Sequence, residues 1–173
     1  MEIKVIGIGG GGCNIVDHIC RGDEKDIRFA LVNRERLSSY TSSAEKICIS
    51  NNGKVLEETL RPLLVDSPQT IIIVAGMGGK YSAQIAAALC HLHKTMIGQH
   101  AQSIVFAVTP FRFEARDKKA AEDIALVSEQ ATRVITFDNN SLIQHGDRPM
   151  AEVFRMVDEK VCSIIKEEKQ KLE

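Results

Sequence analysis

The sequence predicts a three-layer α/β domain in which helices cover both faces of a parallel sheet. Short apolar runs rich in β-branched residues alternate with helical patterns along the chain, which is typical of such sheets. The run Ile71–Val74 contains no polar residue, so it predicts a strand buried on both faces. Five glycines within Gly7–Gly12, directly after the first apolar run, mark a strand that turns into a helix.

Two helical patterns connect or follow the predicted strands. Apolar residues at helical spacing predict a helix from Lys80 to Gly98, where glycine acts as a stop signal. A second apolar stripe after Pro149 predicts a long helix, and the polar stretch Lys166–Glu173 is expected to extend into solvent. The predicted strands are Ile3–Ile8, Ile27–Val32, Ile47–Ile49, Thr70–Ala75, Ser103–Val108 and Val134–Phe137.

Composition restricts the class of protein. At 173 residues the chain suits one domain, 1–173, large enough to bury about 70% of its unfolded surface without disulfides. Its 22 basic and 23 acidic residues give a net charge of -1, which gives no support for nucleic-acid binding. No leader or membrane-spanning apolar run is found. The five scattered cysteines indicate reduced thiols, so we expect a cytoplasmic protein. From the charge balance and the short apolar runs, we expect it to bind neither nucleic acid nor membranes.

The glycine run predicts a phosphate-binding loop. Glycine lets the backbone approach a ligand closely, and the following helix directs unpaired N–H groups at an anion. Gly7, Gly9 and Gly12 also satisfy the dinucleotide spacing G-x-G-x-x-G, although four consecutive glycines fit other phosphate loops equally well. A flexible strand-to-helix turn is the alternative interpretation.

Three further segments follow predicted strands and should meet at the same sheet edge. A second glycine cluster, Gly76-Met77-Gly78-Gly79, follows the central strand. Thr109–Arg116 supplies Glu114 for ribose hydroxyls and Arg112 and Arg116 for phosphate, or else a surface ion pair at a helix start. Phe137–Leu142 supplies amide side chains that suit either a base or a helix N-cap.

The sequence gives little support for a metal site, a serine nucleophile or a Walker-type phosphate loop. Cys90-His91-Leu92-His93 places its two histidines on different faces of a helix, and no paired metal-binding spacing accompanies them, so no metal site is expected. Neither a G-x-S-x-G nucleophile elbow nor a Walker G-x-x-x-x-G-K-[ST] loop occurs, and we assign no catalytic residue.

Taken together, these segments resemble, in order from end to end, the Rossmann-like nucleotide-binding domain of the FtsZ/tubulin family, to which the bacterial cell-division protein FtsZ belongs. The run Ile3–Asn14 looks like the family's first phosphate loop, and Leu31-Val32-Asn33 looks like its A-V-N strand end. Val74–Gly79 looks like the opening of its signature loop. Val108–Arg116 is similar to its V-T-x-P-F-x-F-E-G-R segment, one residue shorter.

The resemblance implies a guanine nucleotide, GTP or GDP, as the ligand. Asn139 falls on the family's guanine-contacting asparagine, while Phe154 and Asp158 fall on the aromatic and acidic residues of its central helix that hold the base. A carboxylate accepts from N1 and N2 of guanine, a pair of donors that adenine lacks. The implied site residues are Gly9, Gly10, Gly11, Gly12, Asn14, Gly76, Gly78, Gly79, Glu114, Arg116, Asn139, Phe154 and Asp158.

The sequence also departs from the family pattern. Where the signature runs G-G-G-T-G-T-G, this chain has Gly78-Gly79-Lys80-Tyr81-Ser82-Ala83-Gln84, which puts bulky side chains where bare backbone should face the phosphates. The segment between Ile49 and Gly53 is too short for the family's third phosphate loop. We therefore expect weak guanine-nucleotide binding or none, with Lys80 either offsetting part of the loss as a point charge or facing solvent.

The sequence stops after the central helix, at about 149–170. The resemblance then implies that the acidic loop that completes GTP hydrolysis between subunits, and the C-terminal activation domain, are absent. We therefore expect no autonomous GTPase activity, and a role in docking on or capping filaments of a full-length FtsZ-like protein, or in association with itself. One alternative is a GTP-binding switch with an unrelated partner. Another is an NADP-dependent oxidoreductase, because Arg34 and Arg36 follow the second strand, where arginine can hold a 2′-phosphate.

Overall fold

The computed structural model of the protein describes residues 2–22, 26–34, 37–49, 55–110, 115–138, 140 and 150–172. The strands are β1 Ile3–Ile8, β2 Ile27–Asn33, β3 Glu45–Cys48, β4 Thr70–Gly76, β5 Gln102–Thr109 and β6 Arg133–Asp138. The helices are α1 Gly9–Ile19, α2 Leu56–Leu60, α3 Ser82–Ile97, α4 Asp117–Gln130 and α5 Met150–Leu172, with a 3₁₀ helix at Arg61–Leu64. All strand pairings are parallel, in the order β3-β2-β1-β4-β5-β6, so the predicted fold class is confirmed.

Helices cover both faces of the sheet. On one face, α1 and α5 pack against strand residues that include Val5 and Ile72. On the other face, α2, α3 and α4 pack against residues that include Ile6 and Ile73. Because neighbouring side chains of a strand point to opposite faces, both faces of β4 are buried, which explains its uninterrupted apolar run.

The end of the chain differs from the expectation that it extends into solvent. Helix α5 continues through Leu172, and its last turns are attached to the amino edge of the sheet. Arg133 donates to Glu168 at 2.9 Å, and Lys169 lies 3.7 Å from Asp26. The polar composition of these turns therefore reflects ion pairing along an exposed helix. None of the helices in the described ranges combines the length and apolar character needed to cross a membrane.

The connections of the sheet place several loops at one edge. Helix α1 leads from β1 to β2 on one face, whereas α3 leads from β4 to β5 on the other face. The strand order therefore reverses between β1 and β4, and crevices for ligands form at such a switch point beyond the carboxyl ends of the strands.

Two glycines let α1 pack closely on β1 and β4. A Cβ atom on Gly12 would lie within 3.0 Å of the carbonyl oxygen of Val74, and one on Gly7 would lie equally close to the carbonyl oxygen of Gly12. Real Cβ atoms do not make such contacts with backbone. By contrast, a Cβ atom on Gly10 or Gly11 would meet nothing within 4 Å.

We predict opposite effects on stability at two neighbouring glycines. Gly12→Ala should lower the free energy of unfolding by about 1–3 kcal/mol, because backbone must move apart to admit the methyl group. Gly10→Ala should leave it unchanged or raise it by up to about 1 kcal/mol, because alanine is favoured over glycine in a helix. Urea unfolding followed by circular dichroism measures both. Equal stability of the two variants would contradict the packing role of Gly12.

Candidate functional site

An open cleft of about 440 Å³ lies at the carboxyl edge of the sheet, at the switch point between β1 and β4. Its lining includes Lys80 and Arg116 and, in the described part of the chain, no acidic side chain. The cleft therefore favours an anionic ligand. The lining residues are Ile8, Gly9, Gly10, Gly11, Gly76, Met77, Gly79, Lys80, Tyr81, Ser82, Val108, Thr109, Pro110 and Arg116.

The first turn of α1 offers bare backbone to this cleft. The helix begins at Gly9, and Ile8 at the N-cap position provides no capping side chain. Unpaired N–H groups and the positive end of the helix dipole make such a terminus a site for anions. Gly10 and Gly11 are exposed, and a larger side chain would fit at either position. Each glycine nevertheless destabilises the helix by about 1 kcal/mol relative to alanine. A ligand that lies close to this backbone would explain why glycine occupies both positions.

The second glycine loop is held by a buried carboxylate. Gly78, with φ +83°, donates its N–H to Oδ2 of Asp123 at 2.8 Å. Asp123 is 2% exposed and forms an ion pair with Lys119 one helical turn earlier in α4. Met77 donates its N–H to the carbonyl oxygen of Val108 at 2.8 Å. The loop is therefore held at Met77 and at Gly78, and the flanking Gly76 and Gly79 line the cleft.

The sequence did not lead us to Asp123 as a residue of the site, although its position in helix α4 indicates that it is buried. Ala120, Asp123 and Val127 are spaced three and four residues apart, and all three are buried on the inner face of α4. An acidic residue in such an apolar stripe needs a buried partner. That partner is a backbone N–H from a distant loop, which no spacing along the chain reveals.

The β2 side of the cleft is closed by a polar and aromatic cluster that the sequence also did not predict. Tyr81 donates its hydroxyl to Oδ1 of Asn33 at 2.8 Å, and the same oxygen accepts the N–H of Arg34 at 2.8 Å. The Arg34 guanidinium lies 4.8 Å from the centroid of the Tyr81 ring. Of the two arginines considered for a 2′-phosphate, Arg34 is thus held against Tyr81, and Arg36 lies outside the described residues.

One exposed stripe of α1 leads away from the cleft. The exposed residues of this helix are Gly10, Gly11, Asn14 and His18, which lie along one face at helical spacing. At the far end, His18 contacts the carboxylate of Asp158 in α5. The eight helical steps from Gly10 to His18 correspond to about 12 Å along the helix axis. The packing of α5 on α1 therefore brings the predicted base-binding acid onto the same stripe as the glycines.

Burial and a histidine act on Asp158 in opposite directions. The side chain of Asp158 is 11% exposed, whereas that of His18 is 63% exposed. Desolvation raises the pKa of Asp158, and the neighbouring His18 counteracts part of that rise. The carboxyl group of Asp158 is therefore neither fully exposed to solvent nor fully buried.

The other predicted site residues occupy different places relative to the cleft. Gly76 and Gly79 have nothing within 4 Å in the direction of a Cβ atom. Gly9, with φ +73°, approaches the Ser82 side chain too closely to admit a Cβ atom. Arg116 lies at the N-cap position of α4 and is exposed.

Several predicted residues cannot be compared with the structure. Glu114 and Asn139 lie outside the described residues, as do 50–54, where the family's third phosphate loop was expected to be missing. Phe154 belongs to α5, but its side chain is not described. Their assignments remain predictions that rest on the resemblance.

The histidine and cysteine residues do not form a metal centre in the described ranges, which contain no group of three or more His, Cys, Asp or Glu side chains arranged for one. His93 is buried, its Nε2 lies 2.9 Å from the carbonyl oxygen of Pro68, and burial lowers its pKa, while His91 is exposed. Burial raises the pKa of Cys13 to about 12, so this thiol stays protonated within the core.

Comparison with known proteins agrees with the resemblance to the FtsZ/tubulin family. No family model matches the sequence. The cell division protein FtsZ of Mycoplasmopsis pulmonis is 29% identical over 176 residues, a match that covers 91% of this chain and 44% of that protein. The chain is therefore similar to the FtsZ/tubulin family over nearly its whole length, and the predicted resemblance is confirmed.

Solved structures of FtsZ and its relatives have the same fold. An empty FtsZ dimer from M. jannaschii superposes with a TM-score of 0.75 at 19% identity, over 95% of this chain and 53% of that one. TubZ of Clostridium botulinum phage c-st gives a TM-score of 0.76 at 17% identity, over 94% of this chain and 60% of that one. This FtsZ-like chain therefore spans about half the length of the relatives that it matches.

We predict that Asp123 positions the second glycine loop. Asp123→Ala should lower the free energy of unfolding by about 1.5–3 kcal/mol, because it leaves the N–H of Gly78 and the ammonium of Lys119 without their charged acceptor. Glu122→Ala, which removes an exposed carboxylate from the same helix, is the matched control and should change stability by less than about 0.5 kcal/mol. Chemical denaturation measures both, and similar losses in the two variants would argue against this role.

Proposed function

We propose that the chain binds a guanine nucleotide along the exposed face of α1. The phosphates lie on the backbone of Gly10 and Gly11, and the base reaches Asp158 beside His18. The observation that carries the proposal is the pairing of two features on one stripe. A bare helix N-terminus in a cationic cleft lies about 12 Å along the α1 axis from His18, which contacts a largely buried carboxylate, and this arrangement suits a ligand with an anion at one end and a hydrogen-bonding ring at the other.

The identity of the base follows from the chemistry of the acid. An ionised carboxylate accepts two hydrogen bonds, and guanine offers N1–H and N2–H as neighbouring donors whereas adenine does not. We assign Asn139 and Phe154 to the base and Glu114 to the ribose by resemblance to the family. Asn14 lies between the two ends of the stripe and is exposed, so it is available to the nucleotide.

We propose that the affinity is modest. Lys80 and Tyr81 line the cleft in place of the glycine and threonine of the family's signature loop, so less bare backbone faces the phosphates. The exposed ammonium of Lys80 and the guanidinium of Arg116 offset part of that loss by attraction to the anion.

We further propose that the chain acts by binding an FtsZ-like protein, either a filament on which it docks or which it caps, or a second copy of itself. One of the structural relatives is an FtsZ dimer. The family resemblance implies that the nucleotide-bearing edge meets the next subunit. Because this chain keeps the carboxyl edge with its cleft, we favour an FtsZ-like partner over an unrelated one.

We predict that Asp158→Asn weakens GDP binding by about 1.5–3 kcal/mol, the range for a hydrogen bond to a charged group, because the amide presents a donor to a donor. Binding of ADP should not change. Isothermal titration of both nucleotides measures the difference. Equal or tighter binding of ADP by the unaltered chain would contradict the guanine assignment.

A control variant and a pH series sharpen this experiment. Glu159→Gln removes the neighbouring carboxylate of α5, whose side chain is 70% exposed, and should leave GDP binding unchanged. Because the ionised form of Asp158 is the acceptor, GDP affinity should be full above its raised pKa and fall as the pH drops through it. ADP provides the reference for titration of the phosphates themselves, and Asp158→Asn should abolish the pH dependence specific to GDP.

We predict that the edge with the cleft carries the binding surface for FtsZ. Small amounts of the chain should shorten filaments of FtsZ from the organism that encodes it, as measured by light scattering and sedimentation. Lys80→Glu should abolish the effect because it reverses a charge at that edge, whereas Lys94→Glu, an exposed lysine at the last turn of α3, should not. Unchanged filament length across a wide range of ratios would contradict the docking proposal.

A further inference from the structure

Tyr81 is fixed in place at one wall of the cleft. Its hydroxyl donates to Oδ1 of Asn33 at 2.8 Å, and Asn33 itself is only 5% exposed. On the ring, the Arg34 guanidinium lies 4.8 Å from the centroid. Tyr81 lines the cleft, whereas neither Asn33 nor Arg34 is among the described lining residues. The ring therefore separates the cleft from the polar side chains at the end of β2.

The direction of a bound nucleotide follows from the fold. A base at Asp158 lies between α1 and α5 on one face of the sheet. From there the ligand runs along α1 to its N-terminus, so that its phosphates cross the edge of the sheet between β1 and β4. Beyond Gly10 and Gly11 they meet the loop before α3, which lies on the other face. The end of the phosphate chain farthest from the base therefore points at Gly79–Ser82, with Tyr81 in the middle.

We infer that Tyr81 closes the distal end of the cleft, so that the site takes a nucleoside diphosphate in preference to a triphosphate. This inference rests on the proposed nucleotide binding and adds its selectivity. A third phosphoryl group brings further negative charge and needs donors. At this wall it meets Tyr81, whose hydroxyl already donates to Asn33, while the Arg34 guanidinium that lies 4.8 Å from the ring centroid is not among the lining residues.

Lys80 does not replace the missing donors at that wall. Its side chain is exposed and its charge acts over the whole mouth of the cleft, so it attracts both the diphosphate and the triphosphate. Selectivity between the two ligands therefore depends on Tyr81, and affinity for both depends on Lys80.

The test compares GDP and GTP binding, both with Mg²⁺, in the unaltered chain and in three variants by isothermal titration. The unaltered chain should prefer GDP. Tyr81→Ala should raise the GTP-to-GDP affinity ratio about tenfold, which corresponds to about 1.4 kcal/mol of recovered phosphate contact. Tyr81→Phe keeps the ring without its hydroxyl and should retain the preference. Lys80→Ala should weaken the binding of both nucleotides, and thermal unfolding confirms that each variant is folded.

Several outcomes would overturn the inference. An unaltered chain that binds GTP as tightly as GDP, with no change in Tyr81→Ala, removes the selectivity but leaves nucleotide binding intact. If Tyr81→Phe raises the GTP-to-GDP affinity ratio as much as Tyr81→Ala does, the preference for GDP depends on the hydrogen bond to Asn33 and not on the ring. A Lys80→Ala variant that loses GTP binding alone shows that the third phosphoryl group passes the ring. Absence of binding in all four proteins overturns the inference together with the proposed function.

Discussion

The structure depends on the close approach of one helix to the sheet. Gly12 admits the carbonyl oxygen of Val74, and Gly7 admits the carbonyl oxygen of Gly12, at distances that no other residue would allow. This contact sets the start of α1 directly above the gap between β1 and β4. The first turn of α1 lines the cleft at the switch point, so its unpaired N–H groups lie beside the cleft. A single steric constraint thus contributes to the position of these N–H groups relative to the sheet.

The glycine run therefore contains two kinds of residue with different physical roles. Gly7 and Gly12, two members of the dinucleotide fingerprint, are needed for packing whether or not a ligand binds. Gly10 and Gly11 are not needed for packing, and their only evident benefit is bare backbone toward the cleft. The same division explains why G-x-G-x-x-G is a weak functional signal, since its glycines report how a helix packs on a strand more directly than what the helix binds.

The second glycine loop, the Tyr81 wall and the His18–Asp158 pair depend on polar contacts between distant segments. Asp123 holds Gly78 across 45 positions of sequence, and Tyr81 reaches Asn33 across 48. His18 meets Asp158 only because α5 packs beside α1. Each contact involves a polar group that is at least partly removed from water, where an unpaired partner would be costly. The cleft is consequently built by a few pairings between distant segments that the core makes possible.

The sequence by itself determined the parallel α/β class, the position of all six strands within a few residues, and the two glycine loops, because these follow from local periodicity and from the backbone freedom of glycine. It also named Asp158, through the resemblance to FtsZ. Only the tertiary structure decided that Asp123 anchors a loop, that Tyr81 is turned toward β2, and that Asp158 is largely buried against His18. Spacing along a chain carries information about contacts within one element, whereas these pairings join different elements, and their geometry exists only after the helices have packed on the sheet.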